Sequence, residues 1–278
     1  MREARRLLAC AFGATLAGVV PLASARLSAA QPPAAVARTP VPLAATPIAR
    51  LDLPWWRERH EAVLTRVRSG RADLIFLGDS ITENWEKRGP EPWRNFQPGW
   101  TRFYGDRNAV NMGFKGDTTA SLLWRIRNGE VDGITPSVAI VLIGANNLGR
   151  VHWSAPDTVA GIDAILAELR RRLPTTKIIL LAVLPSARSP WVTRNTAEIN
   201  EALARHYAAR PDLAAYIDLG ALFTKEGSLD RSAFYDPLLT PPDPPLHPTA
   251  QTQERMAAAI EPTVARLMGD RNHLDEPR

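Results

Sequence analysis

Leu74-Ile75-Phe76-Leu77-Gly78-Asp79-Ser80 is the stretch on which the reading of this chain turns. Four apolar residues in succession, with no polar residue alternating among them, fit a strand buried on both faces. That is the environment of a parallel sheet covered by helices. Gly78 permits a tight turn, so Ser80 falls at the strand's carboxyl end, where a helix begins. Working outward, similar runs occur at 110–114, 138–143, 178–184 and 216–219. Helical patterns lie between them. Trp56, His60, Val63 and Val67 recur at helical spacing before Gly70. Leu122, Leu123 and Ile126 precede Gly129. Val159, Ile162, Leu166, Leu169 and Leu173 step by three and four, with Ser154 and Asp157 at the expected helix start. Ile199, Leu203 and Tyr207 mark another helix, and Met256, Ile260, Val264 and Leu267 the last.

Strands alternating with helices imply an α/β fold: a flavodoxin-like, doubly wound three-layer sandwich around a central five-stranded parallel sheet. In such folds chemistry gathers at the carboxyl ends of the strands. The first three ends carry Gly78-Asp79-Ser80, the segment 111–116, and Gly144-Ala145-Asn146-Asn147, all polar and glycine-bearing.

Composition narrows the class. The chain has 278 residues, 45% hydrophobic and 23% charged, as in ordinary globular proteins. The net charge of +5 includes Arg2, Arg5 and Arg6 against Glu3 at the extreme N-terminus. No basic run or aromatic–basic stripe accompanies the excess, so nucleic acid is not an expected partner. Those arginines, the apolar stretch 7–22 and the small-residue motif Ala23-Ser24-Ala25 read as an export signal within residues 1–30, implying a periplasmic or secreted protein with no stable membrane span after processing. Residues 31–50, rich in Pro and Ala, read as a linker, 51–270 as the folded domain, and 271–278 as a polar tail. Cys10 is the only cysteine and lies inside the signal, so a disulfide scaffold, a cysteine nucleophile and thiolate metal sites are excluded.

Taken singly, the candidate residues have ordinary explanations. Ser80 can cap a helix. Gly116 can belong to a common strand–helix turn, and Asn146 suits a turn because Asn tolerates left-handed backbone. Their chemical readings are a nucleophile at Ser80, an anion-donating backbone N–H at Gly116 and an amide at Asn146 able to donate to an oxyanion. Of five histidines, only His247 sits in a proline-flanked loop with a nearby acid, Asp243; His273 lies in the polar tail, and His60 and His206 fall in helical patterns. No histidine or carboxylate spacing suggests a metal site, and neither a dinucleotide fingerprint nor a phosphate-binding loop is present.

In order and placement together, these segments resemble the SGNH hydrolase superfamily, the GDSL-type lipases and esterases, over roughly residues 57–268. Gly78-Asp79-Ser80-Ile81-Thr82 resembles the nucleophile block, Asn111-x-Gly113-x-x-Gly116-Asp117-Thr118 the glycine block, Gly144-Ala145-Asn146-Asn147 the asparagine block, and Leu246-His247-Pro248 the histidine block. Trp85, Trp93 and Leu123-Trp124-Arg125-Ile126 are most similar to the branch of the platelet-activating-factor acetylhydrolase catalytic subunits. The resemblance implies Ser80 as nucleophile, His247 as general base, an oxyanion hole from the N–H groups of Ser80 and Gly116 with the Asn146 amide, and no cofactor. It places the third triad member three residues before the histidine, which here is Pro244. Asp243 is the expected substitute, with Asp236 or a supporting backbone carbonyl as the alternatives. Trp85 and Trp153 are expected to wall the substrate pocket.

The expected reaction is hydrolysis of short acyl esters, acetyl first, through an acyl-enzyme, with lysophospholipids, acetylated glycans or small acyl esters as substrates. The rival expectations are an acyltransferase on the same scaffold and a non-catalytic glycan- or lipid-binding protein. Oligomeric state leaves no mark in the sequence.

Overall fold

The five apolar runs pair side by side in one parallel sheet. They are β1 (Leu74–Gly78), β2 (Ala109–Gly113), β3 (Val138–Leu142), β4 (Lys177–Leu181) and β5 (Ala215–Ile217), in the order β2-β1-β3-β4-β5. This is the flavodoxin-like order. The computed structural model describes residues 40–210 and 213–275. The expected signal, residues 1–30, and the first part of the expected linker lie outside the described residues.

Why the strands lack polar alternation is visible in their packing. Successive side chains point to opposite faces of a sheet, and both faces are covered here. Ile75, Leu77, Val141, Ile178 and Leu180 face one apolar layer, built from helices α1 (Pro54–Arg68), α4 (Thr119–Arg125), α6 (Ala155–Arg172) and α7 (Pro190–Tyr207). Leu74, Phe76, Ile140, Ile179 and Leu181 face the other, closed by α3 (Gln97–Tyr104) and α8 (Ala250–Met268). Two short helices, α2 (Ser80–Glu83) and α5 (Ala145–Gly149), follow β1 and β3 directly. The chain passes from β1 to β2 on one side and crosses to β3 on the other. The carboxyl ends of β1 and β3 therefore flank the crevice where the winding reverses.

A charged network is buried beneath that crevice. Arg125, fully buried, donates from Nε to Asp117 Oδ2 (2.8 Å), from Nη2 to the Gly78 carbonyl (3.2 Å) and from Nη1 to Glu130. Its guanidinium lies 3.9 Å from the Phe114 ring centroid. Asp117 also accepts from Trp56 Nε1 (2.8 Å) and Arg50 Nη1 (2.9 Å), and Glu130 pairs with His60 Nδ1 (2.9 Å). His60 thus belongs to a buried polar pair.

Both ends of the expected domain move outward. Residues 40–50, read as linker from their small side chains, are packed on the domain: Ala44 is buried, its carbonyl accepts from Thr119 Oγ1 (2.8 Å), and Ile48 N donates to the Ala120 carbonyl (3.1 Å). Small residues allow the backbone itself to approach α4 and α6, which composition alone does not reveal. The polar tail is likewise docked through His273. His273 is buried, with Nδ1 2.8 Å from Glu261 Oε1, and Glu261 also binds the buried Arg107. Among the described residues, no helix is long and apolar enough to cross a membrane.

Removing one partner of a buried ion pair strands the other in a dry interior. Arg125→Met should therefore lower the unfolding free energy by about 3–5 kcal/mol. Arg205→Met, which breaks the exposed pair with Glu201, should change it by less than about 1 kcal/mol. Urea unfolding checks both, and equal midpoints for the two variants would contradict the role assigned to the network.

Candidate active site

Ser80 is the first residue of α2, and the helix N-cap is its neighbour: Asp79 Oδ1 accepts from Ile81 N at 3.0 Å. The capping role that Ser80 might have filled falls to Asp79, leaving the Ser80 hydroxyl free. That hydroxyl lies 3.0 Å from His247 Nε2. His247 comes from the far end of the chain, in the loop before α8. The loop is held by Tyr235 N donating to the His247 carbonyl (3.0 Å) and by a bridge between Phe234 and Pro248.

The acid behind the imidazole is Asp236. Its Oδ1 lies 2.7 Å from His247 Nδ1, and its Oδ2 accepts from Leu246 N (2.7 Å) and from His247 N. A carboxylate facing Nδ1 fixes the proton there, so Nε2 accepts from the serine hydroxyl. The expected acid, Asp243, is corrected by this geometry. Asp243 is exposed in the proline-rich excursion between the two partners, and its contact with Asp236 is a backbone one, Asp243 N to Asp236 O at 3.1 Å. The excursion folds outward, so proximity in sequence carries Asp243 away from the ring while the buried Asp236 is brought beneath it.

Tyr235 completes the support. Its ring stacks on His247 with centroids 5.3 Å apart and planes at 12°, and Trp93 packs against the Tyr235 ring with centroids 5.5 Å apart. The Tyr235 hydroxyl accepts from Lys87 Nζ (3.0 Å) and Asn84 Nδ2 (3.3 Å), and burial pushes its pKa up to about 12. Burial also lowers the Lys87 pKa.

The oxyanion candidates converge on the same turn. Phe114 to Asp117 is a tight turn closed by Asp117 N donating to the Phe114 carbonyl (3.1 Å), and Gly116 holds the left-handed position with φ +74°. The Gly116 N–H has no hydrogen-bond partner among the described residues. Ser80 N is at the first position of a helix, where no intrahelical acceptor exists. Asn146, on α5, sets its Nδ2 between the two turns, 3.0 Å from the Asp117 carbonyl and 3.4 Å from Asp79 Oδ2. Asn147 ties α5 to α4, its Oδ1 accepting from Thr119 N (3.0 Å) and its Nδ2 donating to Thr119 Oγ1 (2.7 Å).

The two tryptophans part company. Trp85 is corrected from pocket wall to core: it is buried among Phe96, Trp100 and Tyr104, under α3. Trp153 is half-buried next to α5, its N–H donating to the Asn147 carbonyl at 2.8 Å. The sequence reading missed Tyr235, which it had no reason to separate from other aromatics, although adjacency to Asp236 was a usable signal. It also missed Arg188, whose guanidinium donates to the Ala145 carbonyl (2.6 Å) and Ser186 Oγ (3.0 Å). Among the described residues no group of three or more His, Cys, Asp or Glu side chains is placed to hold a metal ion.

Residues 76–255 match the model of the GDSL-like lipase/acylhydrolase family. Platelet-activating factor acetylhydrolase IB subunit alpha2 of Homo sapiens is 33% identical over 150 residues, 53% of this chain and 60% of the relative. The chicken (Gallus gallus) subunit is 29% identical over 183 residues, 65% of this chain and 74% of the relative. The match thus spans about 60% of the length of the first of these. Among solved structures, a GDSL-like lipase from Bacteroides thetaiotaomicron superposes with a TM-score of 0.57 at 18% identity, covering 77% of this chain and 97% of its own. A carbohydrate acetylesterase from Sinorhizobium meliloti, Est24, superposes with a TM-score of 0.52 at 16% identity, covering 70% and 99%. These structures share the fold.

Two measurements probe the site. Asp236→Asn should reduce turnover of an ester substrate by about 10²–10⁴-fold, because the imidazole loses its orienting carboxylate. Asp243→Asn should reduce it by less than about threefold, since an exposed side chain away from the ring orients nothing. The reverse ranking in steady-state kinetics would restore Asp243. Burial also raises the Asp79 pKa to about 6, against the opposing Ile81 N–H. A raised carboxylate favours the folded state at low pH, and this contribution is lost as pH rises through about 6. Relative to Asp79→Asn, the wild type should lose stability as pH rises from about 4 to about 6. A pH-independent difference in urea unfolding would refute the shift.

Proposed function

The chain belongs to the GDSL-like lipase/acylhydrolase family, and we propose that it is a serine esterase that cleaves short acyl esters, acetyl first, through an acyl-enzyme on Ser80. One observation carries the reading: hydroxyl, imidazole and carboxylate stand in an unbroken line, Ser80 Oγ to His247 Nε2 at 3.0 Å and His247 Nδ1 to Asp236 Oδ1 at 2.7 Å. In this reading Nε2 takes the hydroxyl proton as Oγ attacks the ester carbonyl, and Asp236 steadies the imidazolium that results. The negative charge on the carbonyl oxygen is met by the Ser80 and Gly116 N–H groups and by Asn146 Nδ2, each donor worth about 2.7–4 kcal/mol in such sites. The imidazolium then protonates the departing alcohol. Water enters, activated by the same nitrogen, and releases the acid.

The preference for acetyl draws on the acetylhydrolase relatives, and lysophospholipids and acetylated glycans are the candidate natural esters. No cofactor takes part in any step of this mechanism. The same reading has the enzyme exported, periplasmic or secreted, on the strength of Arg2, Arg5, Arg6 and the apolar stretch that follows.

A chain-length series of p-nitrophenyl esters is the test. The acetate should be turned over fastest, with kcat/KM falling steadily toward the octanoate. Ser80→Ala and His247→Ala should each lose on the order of 10⁴-fold or more in kcat. Wild-type turnover in Ser80→Ala would refute the acyl-enzyme.

A further inference from the structure

The catalytic line does not use Arg188, yet three of its elements surround that side chain. Nη2 donates to the carbonyl of Ala145, the residue before Asn146. Nε donates to Ser186 Oγ, whose hydroxyl donates to the Pro245 carbonyl (3.1 Å), two residues before His247. The charged groups nearest the guanidinium in effect are Asp79, beside Ser80, and Asp236, beneath His247, but neither pairs with it. Its Nη1 has no acceptor among the described residues. Burial lowers the Arg188 pKa from its ordinary value, as expected of a guanidinium withdrawn from water without a carboxylate partner.

The neighbouring backbone makes room for this placement. A Cβ built on Gly149 would lie 1.7 Å from Arg188 Nη1 and 2.1 Å from Cζ, so only glycine lets the side chain lie across the end of α5. The next residue, Arg150, is exposed; its backbone N–H donates to the Asn146 carbonyl (3.1 Å), and its side chain makes no ion pair or hydrogen bond among the described residues. Its Nη1 comes within 3.2 Å of a Cβ built on Gly116, the oxyanion turn. Two guanidiniums with donors to spare therefore lie at the end of α5, one reaching across it from the segment before α7 and one carried by the residue that follows it. The carboxylates close by have other partners: Asp79 accepts from Ile81 N and Asn146 Nδ2, Asp236 pairs with His247, and Asp117 with Arg125, Arg50 and Trp56.

We propose that Arg188, with Arg150, binds an anionic group of the substrate, a carboxylate or phosphate carried close to the scissile ester. Guanidinium forks hold such oxyanions through charge-assisted hydrogen bonds, which a neutral ester of the same shape cannot form. The inference rests on the esterase reading and narrows it from short acyl esters to acidic ones.

Matched substrates isolate charge from shape. Acetylated glucuronic acid is compared with its methyl ester, and acetylated glucose 6-phosphate with acetylated glucose, each read as a kcat/KM ratio for release of acetate. The wild type should favour at least one anionic member by on the order of tenfold, and the preference should shrink as salt is raised. Preference in the first pair alone assigns a carboxylate, in the second alone a phosphate, and in both an oxyanion of either kind. Arg188→Gln should bring the ratio toward one, and Arg188→Lys should keep part of it. Because each ratio is taken within one enzyme, a general loss of turnover does not imitate the effect. Arg150→Gln alters an exposed side chain and should reduce the ratio in a folded protein even where Arg188→Gln fails to fold. Turnover of p-nitrophenyl acetate together with wild-type ratios at or below one overturns the inference and leaves the esterase intact. Ratios unchanged in both arginine variants also overturn it. No turnover on any ester overturns the esterase reading, and this inference with it.

Discussion

Arg125 and Asp117 meet at 2.8 Å with neither side chain exposed to solvent, and the site is arranged around that contact. Arg125 reaches the Gly78 carbonyl, two residues before Ser80. Asp117 is the last residue of the turn that presents the Gly116 N–H, and its own carbonyl receives the Asn146 amide. One ion pair thus links the turns after β1, β2 and β3. An isolated buried charge is costly, and this pair is made tolerable by further donors from Trp56 and Arg50 and by the second carboxylate, Glu130. The price of burying the network is repaid in geometry: the turns cannot shift independently without leaving a charge unpaired. The rigid half of the site stands on it.

The other half arrives from a different direction. His247 and Asp236 lie on a single loop eleven residues apart, closed by backbone donors to the Asp236 carboxylate and covered by the Tyr235 ring. Nothing in this loop depends on the buried ion pair. The line from Ser80 through His247 to Asp236 forms where a loop braced by its own carboxylate meets a turn braced by the sheet.

Much of this was legible before any coordinates. Unbroken apolar runs such as 74–77 and 138–142 are the mark of strands covered on both faces, and both faces are covered. The rule that places chemistry at strand ends selected Ser80, Gly116 and Asn146 without reference to contacts. Asp236 was harder. Spacing argued for Asp243, and only the path of the intervening prolines shows that the nearer acid points outward. Trp85 failed for a related reason: an aromatic near a nucleophile in sequence is indistinguishable from one turned into the core. The docking of residues 40–50 and His273 is hidden from the sequence because small and polar residues carry little burial signal. Their docking depends on backbone contacts and on partners such as Thr119 and Glu261 that lie far along the chain.

Arg188 shows the limit of motif reasoning most clearly. It donates to the carbonyl of Ala145, 43 positions away, and reaches the Pro245 carbonyl only through the Ser186 hydroxyl. The proposed esterase chemistry depends on the Ser80 hydroxyl being made nucleophilic by the imidazole beside it. Intact-mass spectrometry and peptide mapping after exposure to an organophosphonate test this directly. A single adduct on Ser80, formed far more slowly in His247→Ala, is the predicted result. An unmodified Ser80 in the folded wild-type protein, or an adduct that forms equally fast without the imidazole, would contradict it.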